Sequence, residues 1–474
     1  MTTRRGARPY RLTRRQMIGS GVAGGAALAM LGGSGRLPGL TLNHAAAQEQ
    51  TALRFWVPPG SPLYCEVQQE IAADYAALDQ SIRFEEVQCL PGETDDYFQA
   101  ILAAIAAGNP PDGMVIWDTP VSLGARDALV AIDDLMAASE HSQVEKWPEG
   151  LLASCQYEGQ TYGLPVTAGL YGLWYNPNLL EEKGIPSGRE SLPKTWQELR
   201  DLSKEFTVWD GDRLVSAGFV PNNGDFGAFE LPIWSALNGG QLYDAANQTY
   251  TIDSETNIEM MDFMVSWIDE EYKGDIALVR SSAGWGGYVT EDGLPPAFQA
   301  GNQAMLQQGS WLMGDFAAEV EPVFDNWNIG DHPVGPSGES SVSGFWPNWM
   351  AIPAGAANPE AVFGYMDYMS AVGVEKWFNA IPDIPTNADA PAVLPQGVVE
   401  SRGEEFAQEI MAFWDTQAEM STAMWTSPVQ GFANDRLGQA VERILTKAAA
   451  PAEELAAAQA DCQAELESLL GDQG

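Results

Sequence analysis

Positive charge is the scarcest ingredient of this chain. Lys and Arg number 24 against 65 Asp and Glu, the net charge is −41, and only seven lysines occur in 474 residues. Nucleic-acid binding and attachment to anionic lipid both rest on clustered cations, so this balance excludes them as main activities. Histidine is limited to His44, His141 and His332. His44 lies in the N-terminal segment, which leaves too few for a three-His metal site. No H-E-x-x-H, C-x-x-C or G-K-[ST] motif occurs, and no metal or cofactor is implied. No serine has glycine two positions away on both sides, so the nucleophile elbow is absent too. Carboxylate pairs of the glycosidase type carry no information where acids are this common.

Four cysteines, Cys65, Cys89, Cys155 and Cys462, allow three pairings if two bridges form. Cys65 opens the first helix and Cys89 closes the strand after it. In a β–α–β unit both positions fall at the carboxyl end of the sheet, so a 65–89 bridge is expected, with four buried thiols as the alternative.

Apolar material is plentiful. Hydrophobic residues make up 45% of the chain, sixteen of them Trp, and the length exceeds one ordinary core. Two domains are therefore expected. The surplus acids read as a solvated surface. A sharper reading is adaptation to high salt, which predicts loss of stability on dialysis from molar salt into dilute buffer.

The first 47 residues read as an address. Arg14-Arg15 precede an apolar Gly/Ala-rich run ending at Gly33, and Ala45-Ala46-Ala47 make a small-residue cleavage site. The paired arginines resemble a twin-arginine export signal, which implies a periplasmic protein. The run is short and rich in glycine, so cleavage is favoured over a permanent anchor. Gly19–Gly24 matches a dinucleotide fingerprint only formally, because no strand precedes it. Cleavage would remove seven arginines and no acids, taking the charge from −41 to −48.

Beyond that segment, strands and helices alternate: strand 53–57, helix 63–78, strand 82–87, helix 97–107 and strand 113–117. Val67, Ile71, Tyr75 and Leu78 form the apolar stripe of the first helix. Such alternation predicts an α/β fold whose parallel sheet takes ligands outside the carboxyl ends of its strands. The chain then turns on Gly159–Leu199. Tyr162, Leu164 and Val166 alternate as an extended segment, Gly169 and Gly172 interrupt it, and Leu173–Tyr175 form a second apolar run. Asn176-Pro177 makes a turn before a short helix over 179–183. Thr195 and Glu198 are spaced as the capping box of a helix opening at Trp196. Further on, a strand is expected over 214–220 and helices over 229–237 and 257–271. A long loop over 280–296 and a strand over 304–307 follow.

Several stretches together resemble one family, the periplasmic sugar-binding proteins of ATP-driven importers, of the maltose-binding type. These are NPPD at 109–112, YGLPV at 162–166, LWYNPNLL at 173–180, PKTWQEL at 193–199, AFQAGNQAMLQQGSW at 297–311 and WPNWMAIPAGAANP at 346–359. The resemblance implies two α/β lobes, each a parallel-rich sheet flanked by helices, joined by a hinge that the chain crosses three times. Lobe one would hold residues 48–167 and 334–384, and lobe two 168–333 and 385–474. Crossings at 162–167, near 334 and at 381–385 imply bending about one hinge. C-terminal helices would pack on the second lobe.

Sugars offer C–H faces to aromatic rings and hydroxyls to carboxylates and amides. Trp56, Trp117, Trp285, Trp311 and Trp346 sit at strand ends or in loops and are candidate platforms. The resemblance singles out Trp311, then Trp346; Ser310 and Phe345 directly precede them in sequence, and Tyr171 is a further ligand-binding candidate. Asp118, Asn222 and Asp225 follow strands and are candidate hydrogen-bonding partners, or else ordinary turn residues. Trp174, Trp196, Trp209, Trp234 and Trp267 are assigned to cores. The expected activity is non-enzymatic: a monomer that binds a carbohydrate between its lobes and delivers it to a membrane permease. The alternatives are a secreted carbohydrate-active enzyme, or a binder of a polyamine or glycerol phosphodiester on the same scaffold.

Overall fold

The computed structural model describes residues 50–60, 62–90, 94–221, 230–281, 285, 296–317, 326–422 and 425–472. The export segment and its glycine motif lie outside these, as do Asn222, Asp225 and nearly all of the 280–296 loop. Residues 49–474 form one compact unit.

The first half follows its hydrophobic pattern. Strand β1 (Thr51–Val57) leads into helix α1 (Pro62–Leu78), strand β2 (Ile82–Cys89), helix α2 (Thr94–Ala106) and strand β3 (Gly113–Ile116). β1 pairs in parallel with both β2 and β3. On α1 the buried face is Tyr64, Val67, Gln68, Ile71 and Ala72, whereas Leu78, placed on the apolar stripe by periodicity, is 71% exposed as the helix's last residue. A disulfide joins Cys65 to Cys89 with Cα atoms 5.9 Å apart, within the span such a bridge needs. Cys155 and Cys462 are buried free thiols.

Strand β4 (Leu164–Tyr175) organises the rest, and here the sequence pattern misleads. The two apolar runs are one continuous, fully buried strand of 12 residues. Its glycines do not break it; they admit neighbours. A Cβ on Gly172 would stand 2.6 Å from Ile329, so the strand stays regular because nothing else fits there.

Asn176 then caps helix α3 (Pro177–Glu182), accepting the Asn178 N–H. The capping box of Thr195 and Glu198 opens helix α4 (Trp196–Lys204). Helices α5 (Leu231–Leu237) and α6 (Glu255–Glu271) follow. Of the strand expected over 214–220, only Arg213–Ser216 is regular.

Strands β5 (Met305–Gly309), β6 (Asn328–Gly330), β7 (Ser343–Ala351), β8 (Ile384–Pro385) and β9 (Ser421–Thr422) complete one nine-stranded sheet among the described residues. Its order is β5-β4-β7-β3-β1-β2, with β6 and β8 also on β4 and β9 on β7. The parallel pairing expected for both halves holds for β2-β1-β3. It gives way to antiparallel pairing at β7–β3, β7–β4, β5–β4, β6–β4 and β8–β4, so the sheet is mixed. β4 and β8 overlap the segments 162–167 and 381–385 where crossings are expected, β7 follows the one expected near 334, and both β7 and β8 pair with β4.

Helices α7 (Pro359–Tyr368) and α8 (Val374–Ala380) cover β1–β3. α9 (Glu404–Met420) packs beside β4, and α10 (Gln430–Leu445) and α11 (Pro451–Asp472) pack together against α6. The core is correspondingly divided. One cluster joins β1 and β3 to α1, α7 and α8, and another joins α4–α6 to α10 and α11. Trp196, Trp234 and Trp267 are buried in the second of these cores, Trp174 is buried in a further cluster with residues of α9, and Trp209 is half-buried. No described helix is long and apolar enough to cross a membrane.

Candidate ligand-binding site

Alternation along a strand sends every second side chain to the same face. On β4, that face carries Thr167, Gly169 and Tyr171. On β7, the register sets Asn348 opposite Thr167 and Trp346 opposite Gly169. Between Asn348 and Trp349 the register slips by one, leaving Val166 of β4 as an extra residue, a bulge of the kind that re-aims side chains. On the far side of β4, Pro385 of β8 stands opposite Thr167, which brings Asp383 to the same face.

The aromatic part of this face is built on two glycines. A Cβ on Gly169 would lie 2.1 Å from the Trp311 ring, and one on Gly309 2.2 Å from it. The half-buried indole therefore lies directly against backbone from β4 and β5. Tyr171 meets it edge-on at 5.2 Å and 88°. Trp346 is 7% exposed and meets Trp349 edge-on at 6.1 Å.

The polar part centres on Asn348. Its amide nitrogen donates to Thr167 Oγ1 at 2.9 Å and to Asp383 Oδ2 at 3.0 Å. Its oxygen accepts the Trp117 indole N–H at 2.7 Å and, more distantly, the Tyr64 hydroxyl at 3.5 Å. An indole N–H only donates, so Trp117 fixes which end of the amide points where. Asp383 is buried, and burial pushes its carboxyl up to about 7, with the Trp377 and Asn348 side chains opposing. Tyr64 is also buried, and its phenol is held well above the usual range by burial and by Asp383.

Of the remaining candidates, Asn222 and Asp225 lie outside the described residues. Trp56 and Trp117 are half-buried at the carboxyl ends of β1 and β3, Trp117 tilted against Tyr64 at 5.8 Å. Asp118 follows directly, its Oδ1 accepting the Thr119 N–H at 2.7 Å. It faces the first turn of α10, where a Cβ on Gly431 would lie 3.3 Å from Oδ2. Beside it Arg126 donates to the Ser122 and Pro428 carbonyls, both at 2.6 Å, and so ties the β3 end to the start of α10. Ser310 is fully buried and bonded to the Leu170 backbone in both directions, a strand-pairing role. Phe345 pairs with Leu170 in β7.

Trp285 is 9% exposed and packs in the α4–α6 core, its N–H donating to the Val279 carbonyl at 2.9 Å. Its Gly-rich setting suggested exposure, but a ring of that size closes the core wherever a loop brings it. Thr167, Asn348 and Asp383 were not foreseen. Only the register of three distant segments assembles them. Among the described residues, no group of three or more His, Cys, Asp or Glu is placed to hold a metal.

The profile of the family described as bacterial extracellular solute-binding protein matches residues 70–408. A lactose-binding protein of Rhizobium radiobacter is 24% identical over 306 residues, covering 62% of this chain and 65% of that protein. An arabinooligosaccharide-binding protein of Halalkalibacterium halodurans is 24% identical over 190 residues, 40% of this chain and 39% of that one. The chain thus spans less than two thirds of either relative. The solved structure of CpMnBP1 with mannotriose bound superposes with a TM-score of 0.72 at 20% identity, covering 87% of this chain and 99% of that one. That likeness establishes the fold, the two-lobed α/β architecture of the maltose-binding type.

Proposed function

The chain belongs to the bacterial extracellular solute-binding protein family, and we propose that it binds an oligosaccharide between two lobes and passes it to the permease of an ATP-driven importer. The observation that carries this reading is the mixed face of β4 and β7. An indole lies flat on two glycines beside a saturated amide–carboxylate group, and a second indole hangs from that amide. Rings that offer flat apolar faces beside fixed hydrogen-bonding groups suit a sugar, which has both kinds of surface. Lactose, arabinooligosaccharide and mannotriose, named for the similar proteins, set the class. No covalent step is required of any residue here.

The lobes we assign are residues 48–167 with 334–384, and 168–333 with 385–474. The division of the core into separate clusters supports this, with β4, β7 and β8 as the hinge. We further assign export to the periplasm through Arg14-Arg15, and action as a monomer. Replacing both arginines by lysine should strand the precursor in the cytoplasm; a normal periplasmic yield would show another route.

A thermal-shift screen over a sugar library tests the main reading. A ligand at 100 times its Kd adds about 2.7 kcal/mol to the native state. Stabilisation by mannose-, galactose- or arabinose-containing oligosaccharides is expected. A response to polyamines or glycerol phosphodiesters alone would replace sugar by that solute.

A further inference from the structure

The polar group on the β4–β7–β8 face has a property that ligand contact alone does not require. Every hydrogen-bonding position of Asn348 is taken by a protein group. Its two N–H bonds go to β4 and to the segment entering β8, and its oxygen goes to Trp117 beyond β3. One amide therefore joins all three crossing strands to one candidate platform. Its orientation is set at both ends: Trp117 only donates, and an ionised Asp383 only accepts.

We propose that Asp383 is a positioning residue for the ligand platform, acting through Asn348 to hold the Trp117 ring and making ligand affinity rise with pH across neutrality. The proposal rests on the reading of Trp117 as part of a sugar site. While Asp383 is ionised it demands the amide N–H, so the Asn348 oxygen must face the indole. A protonated Asp383 offers a hydroxyl that donates to the Asn348 oxygen. The amide is then free to turn, and turning sets its NH2 group against the indole N–H, donor against donor. The ring loses its tether and rotates away from the stacking position.

The groups around Asp383 are few. α1 presents Tyr64, which feels Tyr97 and Tyr365 behind it. α8 presents Trp377, β4 Thr167 and β7 Asn348. Gly314 approaches at Pro382 without a side chain. None of these is a cation. The three tyrosines are held well above their usual range by burial, so they stay neutral through the physiological region. Asp383 is then the one member of this set whose charge changes between pH 5 and 9.

The first test needs no ligand. The indole N–H resonance of Trp117, identified by its loss in Trp117→Phe, is followed in the intact mature protein from pH 5 to 9. It should shift with a midpoint near 7, the region to which burial moves Asp383. The shift should vanish in Asp383→Asn and, with the carboxyl kept, in Asn348→Leu. A wild-type resonance that does not titrate, or one that titrates unchanged in either folded variant, overturns the proposal. The wild-type titration decides even if both variants fail to fold.

The second test is calorimetry with mannotriose. Affinity should be about tenfold weaker at pH 5.5 than at pH 8.5, the factor that one hydrogen bond of ordinary net strength controls. In Asp383→Asn it should be weak and flat with pH. Equal affinity at both pH values in the wild type overturns the pH control. Absence of mannotriose binding at any pH counts against that sugar, while the indole titration still decides the pair.

Discussion

Two buried carboxylates divide this molecule by purpose. Glu271 ends α6 inside the α4–α6 core, and Asp383 lies where the chain enters β8. They are 7% and 5% exposed, and burial raises both above their usual range. Their surroundings differ. Glu271 accepts from Ser203 Oγ at 2.6 Å and Trp267 Nε1 at 2.7 Å, and Thr207 bonds it as well. Those donors come from α4, from the segment after it and from α6 itself, all within one core cluster. Asp383 takes its hydrogen bond from Asn348, on another strand, and passes the constraint on to Trp117. A carboxylate ringed by its own core stabilises that core. One linked through an amide to β4, to β7 and to a ring is placed to control their arrangement. The tryptophans repeat the contrast, Trp267 fully buried on Glu271 and Trp311 half-buried on two glycines.

The contrast is broken or sharpened by single substitutions. Trp267→Ala should have the largest effect, about 3–5 kcal/mol of folding free energy by chemical denaturation, with the affinity of whatever remains folded unchanged. It removes a core indole and takes from Glu271 one of its three donors. A folded, stable variant with weakened binding would reverse the roles assigned to the two regions.

The next effect is the pH dependence of stability at Asp383. Its carboxyl ionises at about 3.8 in the unfolded chain and at about 7 in the folded one. Between those values the native state holds a proton that the unfolded chain has released. Its contribution is therefore present in full below 3.8, is lost as pH rises to about 7, and stays level above. The change is on the order of 2–4 kcal/mol. Comparing Asp383→Asn with wild type by denaturation at pH 4, 5.5, 7 and 8.5 isolates it. A difference that does not vary over that range would place the ordinary carboxyl value at this residue.

Gly169→Ala comes third. The new methyl overlaps the Trp311 ring, so about 1–3 kcal/mol of stability should be lost and the indole displaced, with a blue or red shift of its fluorescence. Wild-type stability and affinity together would mean that the ring is not seated there.

Trp311→Ala should cost least in stability, because a half-buried ring leaves no closed cavity. Affinity for the sugar found by screening should still fall at least tenfold, roughly 1.4 kcal/mol. Unchanged affinity in the folded variant would remove Trp311 from the site.

Local signals carried far along this chain. The alternation through β3, the capping box at Thr195 and Glu198, and the 65–89 bridge each depend on residues close in sequence, and each is where the pattern put it. Gly169 and Gly172 were legible as glycines but not as seats, since the residues they admit come from 311 and 329. Trp285 shows the same limit in reverse: a loop-like setting says nothing about which core the loop closes.

What the sequence determined by itself was the class of the molecule: an acidic chain without metal or nucleophile motifs, an α/β alternation, family blocks in order, and indoles near strand ends. What only the tertiary structure decided was which of those indoles share a face, and which polar groups stand between them. Thr167, Asn348 and Asp383 are separated by 181 and 35 residues, and nothing local marks them. They meet because β7 and β8 both run antiparallel to β4 in one particular register, and a shift of one residue would send each side chain to the opposite face of the sheet.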